Sequence, residues 1–489
     1  MRNACKFALA LVLSGLLFQS CEKNDDNEVP QSIEVNNFIW KGLNQYYLWQ
    51  ADVPDLSDYR FGDQNDLNNF LYGYSNPNDL FQHLLNKPAS MFPEGEAVDR
   101  FSVIFSDYNE LEGILSGTTK NNGADFALYY KDDSHTDIIG VVRYILPNSD
   151  ASAKDIQRGD IFTGINGSTL NASNYRDLLS LDTYTLNFAD YNNANFTPNG
   201  QSVTLTKTIL SENPVYLNTV INSGAHKIGY LMYNGFYPNY EAQLNDAFGQ
   251  LKAQGITELV LDLRYNGGGS IQTAQRLASM ITGQFNGQVF AKEQWNAKLE
   301  AYYEETNPGT LYNLFSNSIS DNVPINSLNL SKVYVITTTA TASASELVIN
   351  GLEPYIDVVQ IGDKTVGKNV GSVTLYDSPS FSKSGASQNH RYAMQPLVLK
   401  IVNKVGFGDY TNGLQPDELL KESLANLGIL GDENEPLLDA AITRIIGGGR
   451  TMPRNPDKEF KAIKDNRTIS VLRNEMYLGE IPQGLSNIK

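Results

Sequence analysis

The sequence predicts an α/β protein with a β-rich unit ahead of its core and a small helical region at its N-terminal side. Three observations predict it. From about residue 215 onward, short β-branched runs alternate with segments of helical period, the pattern of an α/β core. Between about 110 and 210 the pattern is short strands and turns. From 34 to about 105, apolar residues recur at helical spacing. A length of 489 residues suffices for two to four domains and a large buried core.

The first 21 residues read as a processing segment. Arg2 and Lys6 give a positive start, and residues 7–18 are a mostly apolar run too short to anchor in a bilayer. Small Ser20 precedes Cys21, and the whole resembles a bacterial lipoprotein signal, which implies that Cys21 is lipidated and becomes the new N-terminus. The alternative is an ordinary secretory signal cleaved nearby. The acidic linker at 22–33 resembles the leader that directs Bacteroidetes-type lipoproteins to the cell surface. These resemblances place the protein in the cell envelope, on a lipid anchor at the periplasmic face or the surface of the outer membrane. Cys5 and Cys21 are the only cysteines, so the mature chain is expected to hold no disulfide. A formal net charge of -18 opposes nucleic-acid binding and electrostatic attachment to an anionic membrane.

In the helical region, 35–49 carries Phe38, Ile39, Leu43, Tyr46, Tyr47 and Leu48 as apolar positions; 65–71 and 77–85 follow, the last opened by Asn76-Pro77. In the β-rich region, 138–146 is a strand, Asn166-Gly167 a tight hairpin turn, 174–179 a short helix and 202–209 a closing strand. Gly159-Asp160-Ile161 with Ile165-Asn166-Gly167 resembles the PDZ domains of exported proteases, which bind a peptide as an added strand. The Arg158-Gly159-Asp160 triplet is read as part of this turn rather than as an adhesion motif. In the core, strands are expected at 228–233, 259–263, 333–337 and 358–361, and helices at 239–254, 271–281, 344–351 and 437–446. Residues 447–489 read as a polar tail outside that core.

Three motifs could carry chemistry. Ser343, in Thr341-Ala342-Ser343-Ala344-Ser345-Glu346, lies between an expected strand and an expected helix. Backbone N–H groups at a helix start have no intrahelical partner, so Ala344 N–H could face the space a nucleophile uses. Ser345 is the competing nucleophile, and the segment taken alone could be a plain helix cap. Gly267 and Gly268, in Gly267-Gly268-Gly269 after the strand at 259–263, could supply a second oxyanion donor. No Gly-Lys-Ser/Thr follows these glycines, so they form no P-loop. Lys368 follows Ser343 by 25 residues. A lysine with pKa about 10.4 is no base near neutrality; a depression of roughly three units, about 4 kcal/mol, is needed, and burial can supply it. Lys368 rather than Lys364 is therefore expected to be buried beside Ser343.

Together, Leu261-Asp262-Leu263-Arg264, Asn266-Gly267-Gly268-Gly269, the Ser343 segment, Gly362-Asp363-x-Thr365-x-Gly367-Lys368 and Gly413-Leu414-Gln415-Pro416-Asp417 resemble the carboxyl-terminal processing (tail-specific) serine peptidases. The resemblance spans roughly 110–445. It implies a crotonase/ClpP-like α/β core carrying a PDZ domain, Ser343 as nucleophile, Lys368 as base, no cofactor, and protein or peptide substrates selected by their C-terminal tails through the PDZ-like domain. Many members carry a glutamine four residues past the lysine; Ser372 stands there and is the candidate for orienting Lys368. Asn369 stands where glycine is common.

Other readings compete. His226 or His390 could serve Ser343 as base, as in related tricorn-type peptidases. A tail-binding scaffold could keep the fold without catalysis. The 27 tyrosines could stack sugars on a glycan-binding surface lipoprotein, or pack at half-wet positions. No His-Glu-x-x-His motif or cysteine cluster suggests a metal site.

Overall fold

The structure, a computed structural model, describes residues 29–192, 195–447, 459–463 and 475–481. The leader with Cys5 and Cys21, and linker residues 22–28, lie outside the described residues. Among the described residues no helix is long and apolar enough to cross a membrane.

The N-terminal helices form where expected. Glu34–Tyr46 buries Phe38, Ile39, Leu43 and Tyr46 along one face. Gln64–Leu71 is capped by Asp63, which accepts from Asp66 N at 2.9 Å; Pro77–His83 is capped by Asn76, with proline at a helix start where its missing N–H costs nothing. The side chains these helices bury join the same apolar cluster as Leu231, Leu261 and Val335 of the core, so the region has no core of its own. Gly42 permits that seating: a Cβ there would meet Met394 Cε at 2.6 Å.

The β-rich unit does hold its own core, around Phe126, Phe162, Ile165, Leu186 and Leu205. Its antiparallel sheet runs in the order Ala124–Tyr130, Ile138–Ile145, Ile161–Ile165, Thr183–Asn192, Asn195–Thr206, with Ser168–Thr169 paired to Ile161–Ile165. Asn166 and Gly167 both take positive φ, 54° and 78°, as a two-residue type I′ hairpin requires. The expected closing strand is split: Asn195–Thr206 completes the sheet, while Thr208–Ser211 pairs with Thr118–Asn121.

The core carries two six-stranded sheets. The first runs Val215–Ser223, His226–Tyr233, Glu258–Asp262, Lys332–Thr337, Asp357–Gly362, Glu418–Leu419; its first pair is antiparallel and the rest are parallel. Leu261 and Val335 share a cluster with Ile271–Thr282 and Ala344–Leu352, whereas Val260 and Ile336 share another with Leu437, Leu438 and Ala441 of the helix Pro436–Ile445. Burial on both faces is why these strands read as continuous apolar runs.

The second sheet runs Gly269–Ser270, Met476–Leu478, Val370–Val373, Leu397–Asn403, Val289–Trp295, Tyr312–Leu314. Sequence reading assigned none of these strands. It also placed 447–489 outside the peptidase core, and this is corrected: Met476–Leu478 pairs in parallel with both Gly269–Ser270 and Val370–Val373, and Met476 is fully buried. Only long-range pairing makes a strand of three residues in a polar stretch.

Candidate active site

Ser343 sits where a strand end turns into a helix. Lys332–Thr337 closes, a short loop follows, and Ala344–Leu352 begins with Ser343 as its N-cap. Ser343 has φ 65° and ψ -115°, a conformation costly for a residue with a Cβ, and strain of this kind concentrates at functional sites. The side chain is fully buried, and its Oγ has no hydrogen-bond partner. Ser345, the competing candidate, differs: its hydroxyl donates to Asn266 O at 3.0 Å and ties the serine loop to the glycine loop.

One carboxylate assembles the site. Glu346 Oε2 accepts from Ser343 N at 2.7 Å and from Lys368 N at 2.8 Å, while Oε1 accepts from Gly367 N at 2.7 Å and from the Thr365 hydroxyl. The backbones of Ser343 and Lys368 thus meet on a single oxygen. Burial raises the Glu346 pKa, and these hydrogen bonds oppose the rise.

Lys368 is fully buried, as expected. Its Nζ donates to Glu475 Oε2 at 3.2 Å and lies 4.8 Å from the centre of the Phe101 ring. Burial holds its pKa below the ordinary lysine value; Glu475 and Asp99 work against that, and Arg100 adds to it. Ser372 does not act on Lys368 directly. Its hydroxyl lies 3.3 Å from Glu475 Oε2 and 3.3 Å from Met476 O, two acceptors for one proton, so Glu475 stands between Ser372 and Lys368.

The glycine loop faces the serine. A Cβ on Gly268, whose φ is 112°, would lie 2.2 Å from Glu475 O, 2.7 Å from Ser343 Cβ and 3.0 Å from Ala344 N. Gly268 N–H, expected as an oxyanion donor, here donates to Asn266 Oδ1 at 2.8 Å. Gly269 N–H instead meets a peptide carbonyl, that of Glu475. A cavity of about 200 Å³ opens beside this loop, lined by Gly267, Gly268, Tyr237 and Tyr265 and, from the β-rich unit, by Ala124 and Tyr144.

Two contributors escaped the sequence. Phe101 comes from the end of the N-terminal region, pinned where Asp99 accepts from Ser102 N at 2.9 Å and Arg100 Nη2 donates to Thr411 O at 3.2 Å. Glu475 comes from the polar tail. The candidate bases among the histidines are engaged elsewhere: His226 Nδ1 lies 2.8 Å from Glu258, and His390 Nε2 lies 2.9 Å from Asp377. Arg158 of the Arg-Gly-Asp triplet is buried against the core, donating to Tyr265 OH at 2.6 Å and Glu422 Oε1 at 2.7 Å. Many tyrosines are core residues, Tyr46, Tyr47, Tyr230, Tyr233 and Tyr303 among them.

The structure thus brings together a buried serine at a helix start, a buried lysine and a facing glycine loop. Residues 227–383 match Peptidase family S41, and residues 34–103 match the Peptidase S41 N-terminal domain. Over these two stretches the chain is similar to peptidase family S41, and carboxyl-terminal processing peptidases are among the proteins it resembles. It is 26% identical over 243 residues to a carboxyl-terminal-processing protease of Picosynechococcus, covering 50% of each chain. It is 24% identical over 347 residues to the chloroplastic C-terminal processing peptidase of Tetradesmus obliquus, covering 68% of this chain and 69% of that one. The chain therefore spans about half to two thirds of the length of these curated relatives. A crystal structure from Bacteroides fragilis, assigned to the S41 proteases, superposes with a TM-score of 0.64 at 28% identity over 84% of this chain and 97% of that one.

Proposed function

We propose that this protein is a serine endopeptidase that cleaves protein or peptide chains through Ser343 and Lys368. One observation carries the reading: a fully buried lysine and a fully buried, backbone-strained serine whose main-chain N–H groups share one oxygen of Glu346.

Neutral Lys368 Nζ takes the proton of Ser343 Oγ as that oxygen bonds to the carbonyl carbon of a substrate peptide. The carbonyl oxygen becomes an oxyanion, held by Ala344 N–H and by a donor from the 267–268 glycines; Gly268 serves only when its bond to Asn266 opens. The C–N bond then breaks, and the leaving amine takes the proton from Lys368. Water, deprotonated by Lys368, attacks the acyl-enzyme carbon, and Ser343 recovers its proton as the new carboxyl end departs. The Ser372 hydroxyl meets Glu475 rather than Lys368, so it is not the lysine's own orienting partner.

The β-rich unit acts as a PDZ-like receptor that takes a substrate's C-terminal tail as an added strand. Support comes from its outermost strand, Ala124–Tyr130, whose Ala124 lines the cavity that reaches Gly268. Lipidation at Cys21 would hold the enzyme at the cell envelope, a reading that rests on the leader sequence alone.

The test is cleavage of a reduced, carboxymethylated protein by the wild type and Ser343→Ala side by side. The wild type is expected to cleave, and Ser343→Ala to lose about 10⁴-fold or more while staying folded. Loss on Ser345→Ala instead would move the nucleophile; no cleavage by the wild type would favour a tail-binding scaffold.

A further inference from the structure

Among the described residues, the tail meets the rest of the protein along 459–463 and along 475–481, and both stretches lie on the path proposed for a substrate. At the first, residues 461–463 lie antiparallel along the outer edge of Ala124–Tyr130. Tyr130 N donates to Lys461 O at 2.9 Å, Ile463 N donates to Leu128 O at 3.0 Å, and Tyr129 bridges Ala462. Phe460 packs edge-on against Phe196, and Ile463 joins the apolar core of the unit. This is strand addition to a sheet edge, the mode by which a PDZ-like fold holds a peptide.

At the second, Met476–Leu478 runs as a strand between Gly269–Ser270 and Val370–Val373, with Glu475 just ahead of it. The carbonyl of Glu475 takes the Gly269 N–H and crowds the space around Gly268 that Ser343 Cβ and Ala344 N also border. A scissile carbonyl would have to enter that same space. The Glu475 side chain accepts from Lys368 Nζ at 3.2 Å, while Ser343 Oγ has no partner. Among the described residues, the carboxylate that meets Lys368 Nζ belongs to the tail.

We infer that the C-terminal segment is a ligand of its own active site: 461–463 occupy the receptor edge of the β-rich unit, and 475–478 occupy the peptide position beside Ser343, keeping the enzyme silent until a competing chain displaces them. This rests on the reading of Ser343 and Lys368 as a peptidase dyad. The segment sits there with Lys368 Nζ bonded to Glu475 and with Ser343 Oγ bonded to no group among the described residues. Its chemistry also describes the competitor, an extended chain with an apolar residue matching Ile463 at the edge strand and an apolar residue matching Met476 in the cleft.

The test uses the full chain and three tail variants, Glu475→Ala, Glu475→Gln and Ile463→Asp. Three quantities are measured: labelling of Ser343 by a fluorophosphonate, cleavage of a reduced, carboxymethylated protein, and amide hydrogen exchange at Gly269 and Tyr130. Labelling and cleavage are expected to rise about tenfold in both Glu475 variants and severalfold in Ile463→Asp. Exchange at Gly269 should quicken in the Glu475 variants, and exchange at Tyr130 in Ile463→Asp. Unchanged labelling and exchange in all three would overturn the inference. So would a fall in Glu475→Ala with activity kept in Glu475→Gln, because the carboxylate would then be positioning Lys368. The two readings fail separately. Faster exchange without any cleavage would sink the peptidase and leave the tail as a ligand; Ser343-dependent cleavage indifferent to the tail would do the reverse.

Discussion

Two fully buried cations lie close to the glycine loop, and they are treated in opposite ways. Arg264 is saturated: Asp262 at 2.8 Å, Glu435 at 2.8 Å through both Nη atoms, and Glu422 at 3.2 Å surround its guanidinium. These carboxylates push its pKa well above the ordinary arginine value despite complete burial. Lys368 has the carboxylate of Glu475 and the face of Phe101, and burial wins, lowering its pKa. The contrast separates a cation that holds a fold from one fit to give up its proton. Arg264 locks the end of Glu258–Asp262 just ahead of the glycines; Lys368 is kept dry, its backbone N–H sharing a Glu346 oxygen with that of a strained serine.

Breaking each cation sharpens the difference. Lys368→Ala should lower protein cleavage by about 10³-fold or more, within the range a general base supplies, while thermal unfolding stays cooperative. Arg264→Met should act on stability first. It strands Asp262 and Glu435 as buried carboxylates, and a loss of about 3–5 kcal/mol is expected in urea unfolding. A catalytic defect in Arg264→Met without that loss would blur the distinction.

The pH profile of cleavage follows from the same comparison. Only neutral Lys368 can accept the serine proton, so the rate should climb with pH through the lysine pKa and level off above it. Burial places that limb below the ordinary lysine value of 10.5. Among the described residues, Glu475 and Asp99 raise the Lys368 pKa and Arg100 lowers it. Glu475→Ala removes a raising influence, so its limb should move to lower pH. A shift to higher pH would contradict the assignment. The smallest effect expected is that of Ser345→Ala. It removes one buried hydrogen bond to Asn266, worth about 1 kcal/mol in an unfolding titration, and should keep most of the cleavage that Ser343→Ala loses.

What could be read in the sequence was local. The parallel strands showed as unbroken apolar runs because both of their faces are covered, and Asn166-Gly167 announced its hairpin because few residues take positive φ twice. Ser343, Lys368 and the glycines were legible as short motifs, and the burial expected of Lys368 is present. The rest depends on contacts between distant positions. The second sheet is built from short strands that only pairing defines. Phe101 reaches Lys368 from the N-terminal region and Glu475 from the tail, and neither lies in a pattern that points at a lysine. The Gly268 N–H was read as available because Asn266, two residues earlier, gives no sign in sequence that its side chain turns back to accept it.

The central claim is that the amine of Lys368 is dry enough to be neutral when it meets Ser343. A direct measurement is the titration of Lys368 Nζ by heteronuclear NMR on protein with isotope-labelled lysine, the resonance assigned by its absence in Lys368→Arg. A midpoint well below 10.5, the ordinary lysine value, that moves lower still in Glu475→Ala, is the expected result. A midpoint at or above 10.5 would mean that the lysine stays charged, and Ser343 would have no base.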